Sequence, residues 1–91
     1  MISLGGDGAV LACKEGFFYA KPPTVKVRST IGAGDSMLAG FIDGTLNGFC
    51  VGNVLKRATA YGTAACMQEG TLPPKQEDIK KLEGLISIKS L

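Results

Sequence analysis

Hydrophobic and polar positions alternate in short runs in the first third of this chain and follow a longer period in its middle third. An apolar run at residues 9–13 is followed by a polar turn with glycine at residues 14–16, and a second apolar run begins at Phe17. Two short apolar runs around a glycine turn are typical of a β-hairpin. Val25 and Val27 then alternate with charged residues, which predicts a further, half-exposed strand.

The middle third has the period of an amphipathic helix starting near Asp35. Its larger apolar residues recur at steps of three and four, which predicts that they form one buried face. They are Leu38, Phe41, Ile42, Leu46 and Phe49. A second stripe contains only small residues, at Ser36, Gly40, Gly44 and Gly48. Each glycine costs a helix about 1 kcal/mol relative to alanine, so the stripe favours close backbone approach by another helix or, alternatively, by a nucleotide.

Two further helices and a strand are predicted after this segment. The first runs from about Asn53, as N-cap, to about residue 68, and Gly70 ends it. Its alanines and Gly62 keep it slim, so we expect it to pack on the glycine stripe. A short amphipathic helix at residues 75–82 stops at Gly84, and residues 85–88 form a last strand. The fold class is therefore α/β.

Composition excludes several classes of function. The chain is 45% hydrophobic and 20% charged, which excludes a disordered composition, and its net charge of +2 does not favour binding to nucleic acid or to an anionic membrane. It contains no histidine, so catalysis and metal binding by histidine are excluded. Its three cysteines have no metal-site spacing and indicate reduced thiols. We expect a cytoplasmic protein without nucleic-acid or membrane partners.

The chemistry is predicted where Gly32-Ala33-Gly34-Asp35 precedes the first helix. Glycines allow successive N–H groups to point into one space, and the helix start adds unpaired N–H groups and about half a positive charge. Such a site holds an anion. Asp35 would repel a bound phosphate, but it fits a base that removes a proton from a hydroxyl beside a transferring phosphoryl group. The alternative is that Asp35 is only a first-turn helix acid.

Residues 29–41, Ser-Thr-Ile-Gly-Ala-Gly-Asp-Ser-Met-Leu-Ala-Gly-Phe, resemble the C-terminal signature of the ribokinase-like (PfkB) carbohydrate kinases. Upstream, residues 3–8 are similar to the nucleotide loop of the same family, and the small-residue helix at residues 58–65 follows in the expected order. Within the family, the variant is most similar to the 1-phosphofructokinases and tagatose-6-phosphate kinases. The resemblance covers essentially the whole chain.

This resemblance implies the C-terminal portion of a three-layer α/β/α fold and assigns roles to individual residues. Asp35 would be the base that contacts the sugar hydroxyl, and Gly32, Ala33 and Gly34 would form the anion hole. ATP would be bound by Ser3, Leu4, Gly5, Gly6, Asp7, Gly8, Gly34, Tyr61 and Ala65. At Gly8 a side chain would crowd ATP or forbid the backbone angle, unless Gly8 is an ordinary hairpin glycine. ATP and Mg²⁺ are the implied cofactors, with no metal ligand expected in this chain.

The resemblance also implies that residues 1–91 are the nucleotide-binding and catalytic part of an incomplete domain, about the last third of such a kinase. The implied reaction of the whole enzyme is phosphorylation of fructose 1-phosphate to fructose 1,6-bisphosphate by ATP. The alternative is a non-catalytic fragment that binds ATP or another anion, or that only self-associates. Without the missing strands, Leu38, Phe41, Ile42 and Leu46 would be exposed, so we expect self-association, pairing with the N-terminal part, or poor order.

Overall fold

The computed structural model describes residues 1–3, 7–30, 32–68 and 75–91. Its elements are β1 (Ile2–Ser3), β2 (Ala9–Cys13), β3 (Gly16–Lys21), α1 (Ala33–Leu46), α2 (Val51–Cys66), α3 (Gln76–Glu83) and β4 (Ser87–Ser90). The predicted end of the second helix at Gly70 lies outside the described residues. No helix among the described residues is long and apolar enough to cross a membrane.

The four strands form one antiparallel sheet in the order β1-β2-β3-β4. The predicted hairpin is confirmed, because β2 pairs with β3 and Gly16 takes a positive φ of 121° at the turn. The predicted last strand is also confirmed, two residues further on, where Ile88 pairs with Ala20. Because β3 already has a strand on each side, the sheet leaves no edge of β3 for another strand.

The predicted strand at Val25 and Val27 is wrong, since residues 22–27 form no strand. Pro22 and Pro23 have no backbone N–H to donate to a sheet ladder, so the chain leaves the sheet at this point. The segment instead crosses toward the helices. Arg28 N and Ser29 N both donate hydrogen bonds to the carbonyl oxygen of Cys66, at 2.8 and 3.3 Å.

Helix α2 is the central element of the core, because it contacts the sheet, α1 and α3. Its residue Leu55 is fully buried, and most of its other buried positions are alanine or glycine. The remaining core comes from the inner side of the sheet and from α3: Ala9, Leu11, Ala20, Ile79, Leu82 and Ile86. The core is therefore built mainly by small residues that let backbones approach one another.

Helix α2 begins two residues earlier than predicted, and the prediction of Asn53 as N-cap is wrong. Cys50 is the N-cap, in an extended conformation, and its carbonyl oxygen accepts a hydrogen bond from Val54 N at 2.9 Å. Asn53 is an exposed residue within the first turn. Since Cys50 makes no side-chain capping bond, the cap left no signal in the sequence.

The prediction that the glycine stripe of α1 packs on the second helix is confirmed. A Cβ atom at Gly40 would lie 2.8 Å from Tyr61 Cγ and 2.9 Å from the carbonyl oxygen of Arg57, and Gly44 is similarly close to Val54. The prediction that the large apolar residues of α1 form a buried face is wrong: Leu38, Ile42 and Leu46 are exposed. Helix α1 packs on α2 through its glycines, so its apolar face points away from that contact.

Candidate functional site

The start of α1 has the backbone geometry that the glycine motif predicts. Gly32 is the N-cap, with φ +79° and ψ 0°, and a Cβ there would meet nothing within 4 Å. Glycine is therefore required at this position by the left-handed backbone and not by a close neighbour. Ser36 N donates to the carbonyl oxygen of Gly32 at 2.9 Å, which closes the first helical turn. The N–H groups of Gly34 and Asp35 precede that bond and belong to the set for which an α-helix has no internal acceptor.

Asp35 lies in this first turn and is exposed. Within the described residues, its carboxylate makes no hydrogen bond and no ion pair. The neighbouring helix N-terminus favours a negative charge at this position. An accessible, unpaired carboxylate beside an anion-binding helix start can both attract a hydroxyl group and accept its proton.

A cavity of about 290 Å³ opens directly beside this helix start. Its size is at the lower end of small-molecule sites, which fits one flat ring system better than a whole nucleotide. The lining comes from four parts of the chain: Gly8; residues 22–25, 27 and 30; Ala33, Gly34 and Met37; and Thr59, Gly62, Thr63 and Cys66. The structure thus brings three predicted site residues, Gly8, Ala33 and Gly34, to one place.

The walls of the cavity are mostly apolar, and no charged side chain of the described residues lines it. Thr59 is an exception to the apolar lining. It is 2% exposed, and its Oγ1 has no hydrogen-bond partner. An unpaired buried hydroxyl costs about 1–3 kcal/mol, a cost that a ligand with a suitably placed polar atom would remove. Burial also raises the pKa of the Cys66 thiol, at the far end of the same helix face.

Gly8 is needed by the fold as well as by the cavity. It has φ +109°, and a Cβ there would lie only 2.0 Å from the carbonyl oxygen of Ala20 on the neighbouring strand β3. The expectation that a side chain would be incompatible with the backbone angle is confirmed. A larger residue at this position must disturb the hairpin before it affects a ligand.

The other predicted nucleotide residues lie outside the cavity lining. Ser3 is in β1, paired with Ala9, and Asp7 is exposed, with its carbonyl oxygen accepting a hydrogen bond from the Tyr19 hydroxyl. Tyr61 packs against Gly40 of α1, and Ala65 is buried. The predicted residues Leu4, Gly5 and Gly6 lie outside the described residues. Their roles in ATP binding stay predictions.

Sequence reasoning missed two parts of the cavity. The segment at residues 22–27 was interpreted as a strand, although its prolines are the signal for a loop. Thr59, Gly62, Thr63 and Cys66 were also missed, although their spacing of three, four and seven residues places them on one face of a helix. That face is polar and small, unlike the large apolar face that periodicity analysis detects.

The described residues contain no group of three or more cysteine, aspartate and glutamate side chains that could hold a metal ion. The site is therefore described by its helix start, its free carboxylate and its apolar cavity.

Comparison with known proteins gives matches over most of the chain. The family model of the pfkB family carbohydrate kinases matches residues 1–78. A 1-phosphofructokinase from Escherichia coli strain K12 is 46% identical over 68 residues, which cover 75% of this chain and 22% of that protein. The chain spans less than a third of the length of the curated relatives it matches.

Solved structures give the same result for the fold. The crystal structure of a candidate phosphofructokinase from Staphylococcus aureus matches with a TM-score of 0.92 and 36% identity, over 98% of this chain and 28% of that one. The phosphofructokinase-2 of Escherichia coli in complex with substrates and products matches with a TM-score of 0.85 and 32% identity, over 90% of this chain and 26% of that one. The predicted fold class, the C-terminal portion of a ribokinase-like α/β fold, is confirmed.

Proposed function

Because the chain belongs to the pfkB family of carbohydrate kinases, we propose that it forms the catalytic and nucleotide-binding part of a kinase that transfers a phosphoryl group from ATP to a sugar phosphate. The acceptor is fructose 1-phosphate and the product is fructose 1,6-bisphosphate. The names of the 1-phosphofructokinase relatives support this choice of acceptor. The rest of such a kinase domain supplies the sugar site.

The observation that most supports the proposal is the adjacency of three consecutive residues at the start of α1. Ala33 and Gly34 line the cavity, and Asp35 follows them with an unpaired carboxylate. In this proposal, Asp35 accepts the proton of the sugar hydroxyl while the hydroxyl oxygen forms a bond to the γ-phosphorus. The N–H groups of residues 32–34 stabilise the charge on the transferring phosphoryl oxygens as the bond to the β-phosphate oxygen breaks.

The cavity has the size and lining for the base of the nucleotide. Its volume of about 290 Å³ suits a single flat ring system, and its walls are mostly apolar. With the base in the cavity, the phosphates extend past Ala33 and Gly34 toward Asp35. The Thr59 hydroxyl then has a ring nitrogen or an exocyclic amino group as a partner.

Mg²⁺ is the second implied cofactor, because a divalent ion bridges the phosphates in phosphoryl transfer. The described residues offer it no cluster of three acidic or thiol side chains. We therefore assign no magnesium ligand within this part of the chain and no catalytic step to the ion.

The proposed base is tested by Asp35→Asn in a version of the protein extended to the length of its relatives. Turnover of fructose 1-phosphate, followed as ADP release, is expected to fall by at least about 10²-fold, since general bases contribute about 10²–10⁴. ATP binding, followed by calorimetric titration, is expected to persist. Asp43→Asn is the matched control, because Asp43 lies on the same helix but bonds to Arg57, away from the cavity. Near-normal turnover in Asp35→Asn would contradict the assignment.

The isolated 91-residue chain is expected to show no turnover in the same assay. Positioning of both substrates provides most of the catalysis of phosphoryl transfer, and the sugar site is proposed to lie in the rest of the domain. ATP binding without turnover would support the nucleotide assignment. Turnover by this chain alone would overturn the division of roles.

A further inference from the structure

We propose that Cys66 makes the cavity a site of covalent modification, in which a flat, mostly apolar ligand with a soft carbon electrophile binds first and is then captured by the cysteine sulfur. The proposal concerns a thiol that the phosphoryl-transfer reaction does not use. Only the competition of this ligand with ATP rests on the proposed function.

Cys66 lies at the rim of the cavity and is held there by its backbone. It is the last residue of α2, it lines the cavity, and it is partly exposed. Its carbonyl oxygen accepts hydrogen bonds from the backbone N–H groups of Arg28 and Ser29, at 2.8 and 3.3 Å. These two bonds hold the end of α2 against the loop that forms the opposite wall. The thiol therefore keeps a defined position relative to a bound ring.

A second observation points independently to a ligand in the same cavity. Thr59 lies seven residues before Cys66, two helical turns away on the same face of α2, and its buried Oγ1 has no partner. Between them, Gly62 leaves the helix surface open, and the prolines of the facing loop provide an apolar wall. The lining thus fits a planar apolar ring with one hydrogen-bonding group near Thr59 and a reactive carbon near Cys66.

The capture step is an ordinary substitution by a thiolate. The Cys66 thiol releases its proton to solvent, the sulfur forms a bond to the methylene carbon of a chloroacetamide, and the carbon–chlorine bond breaks as chloride leaves. Burial raises the pKa of the thiol, so little thiolate is present at neutral pH and collisions with a small reagent react slowly. Binding in the cavity compensates by raising the effective concentration of the electrophile.

This difference separates Cys66 from the two other cysteines. Cys13 in β2 and Cys50 before α2 are exposed and do not line the cavity. A small polar reagent should modify these two first, whereas a cavity ligand should modify Cys66 first. The chain thus contains its own reference thiols for the same reaction.

The test compares two probes on the folded chain, with quantification of each modified cysteine by peptide mass spectrometry. Iodoacetamide is expected to react at Cys13 and Cys50 faster than at Cys66. An adenine with a chloroacetyl group on its exocyclic nitrogen is expected to reverse the order by at least about tenfold, with a rate that saturates as its concentration rises. A rate at Cys66 that stays linear in probe concentration, or no preference over Cys13, would overturn the proposal.

Variants test the two ends of the site separately. Thr59→Val keeps the side-chain shape and removes the hydroxyl, so the concentration for half-saturation should rise about three- to tenfold while the limiting rate stays unchanged, as expected for one lost hydrogen bond. Cys13→Ser should leave the reaction at Cys66 unchanged. An unchanged half-saturation in Thr59→Val would overturn the role of Thr59 in the site.

Added ATP distinguishes this proposal from the proposed function. Slower capture in the presence of ATP supports both, because the base and the probe then share the cavity. Saturable capture that ATP does not slow supports the modification site and contradicts the placement of the nucleotide base. Loss of saturable capture with normal ATP binding contradicts the modification site alone.

Discussion

The two faces of helix α1 differ in the opposite sense from their hydrophobicity. The face with almost no side chains, at Gly40 and Gly44, is buried against α2, while the face with large apolar side chains is exposed, with Leu46 at 81% exposure. The glycine face allows the two helix backbones to approach so closely that a single Cβ at Gly40 would collide with the backbone of α2. In this helix, shape rather than hydrophobicity decides which face packs.

The largest effect is expected from adding one carbon to the buried face. Gly40→Ala would place a Cβ 2.8–3.0 Å from Tyr61, Arg57 and Ala58, two of these contacts being backbone atoms. The loss from overpacking, about 1–3 kcal/mol, should exceed the gain of up to about 1 kcal/mol in helix propensity. Thermal denaturation should show a lower melting temperature.

The same substitution at two other helical glycines provides graded controls. At Gly44 the nearest atom to the added Cβ is Val54 Cα at 3.3 Å, so Gly44→Ala should be less destabilising than Gly40→Ala. At Gly52 the nearest atom is the Ile88 Cγ2 at 3.6 Å, so Gly52→Ala should be neutral or stabilising. If all three variants had the same melting temperature, close helix approach would not be what holds the glycine face.

A smaller effect is expected at the polar end of the buried face. Arg57 of α2 bonds to Asp43 of α1 at 2.6 Å, lies 3.3 Å from Glu83 of α3, and covers the ring of Phe49 at 4.6 Å. These ion pairs are partly exposed, so Arg57→Met should lower the free energy of unfolding by only about 1 kcal/mol. Because salt screens exposed charges, part of this difference should disappear in high salt.

Lys56→Met is the matched control for the charge, since Lys56 precedes Arg57 on the same helix and makes no ion pair. Urea denaturation of the two variants at low and high salt separates the effects. An equal and salt-independent loss in both would show that Arg57 acts through packing alone.

The smallest effect on stability is expected on the exposed apolar face. Leu46→Gln should change the free energy of unfolding by less than about 0.5 kcal/mol, because surface substitutions without partners have effects of this size. Light scattering should instead show weaker self-association, since the apolar patch at Leu38, Ile42 and Leu46 is the surface proposed to pair with another copy or with the rest of the domain. Destabilisation by more than about 1 kcal/mol would mean that Leu46 is buried in the folded protein.

The sequence determined the elements of this fold because their signals are local. Apolar runs around a glycine turn predict the hairpin, helical spacing predicts the three helices, and the left-handed angle at Gly32 follows from a motif that only glycine satisfies well. The family resemblance rests on the same short segments. The order of residues 32–35 at a helix start could therefore be predicted without any knowledge of packing.

Only the tertiary structure decided which surfaces meet. Helical spacing shows that α1 has two distinct faces, but the choice between them depends on how closely α2 can approach. In the same way, the cavity forms only where the loop after Pro22 crosses to the end of α2 and meets the start of α1, which brings Gly8, Gly34 and Cys66 together from distant parts of the sequence. Contacts between residues far apart in the chain depend on shape in three dimensions, and no local period records them.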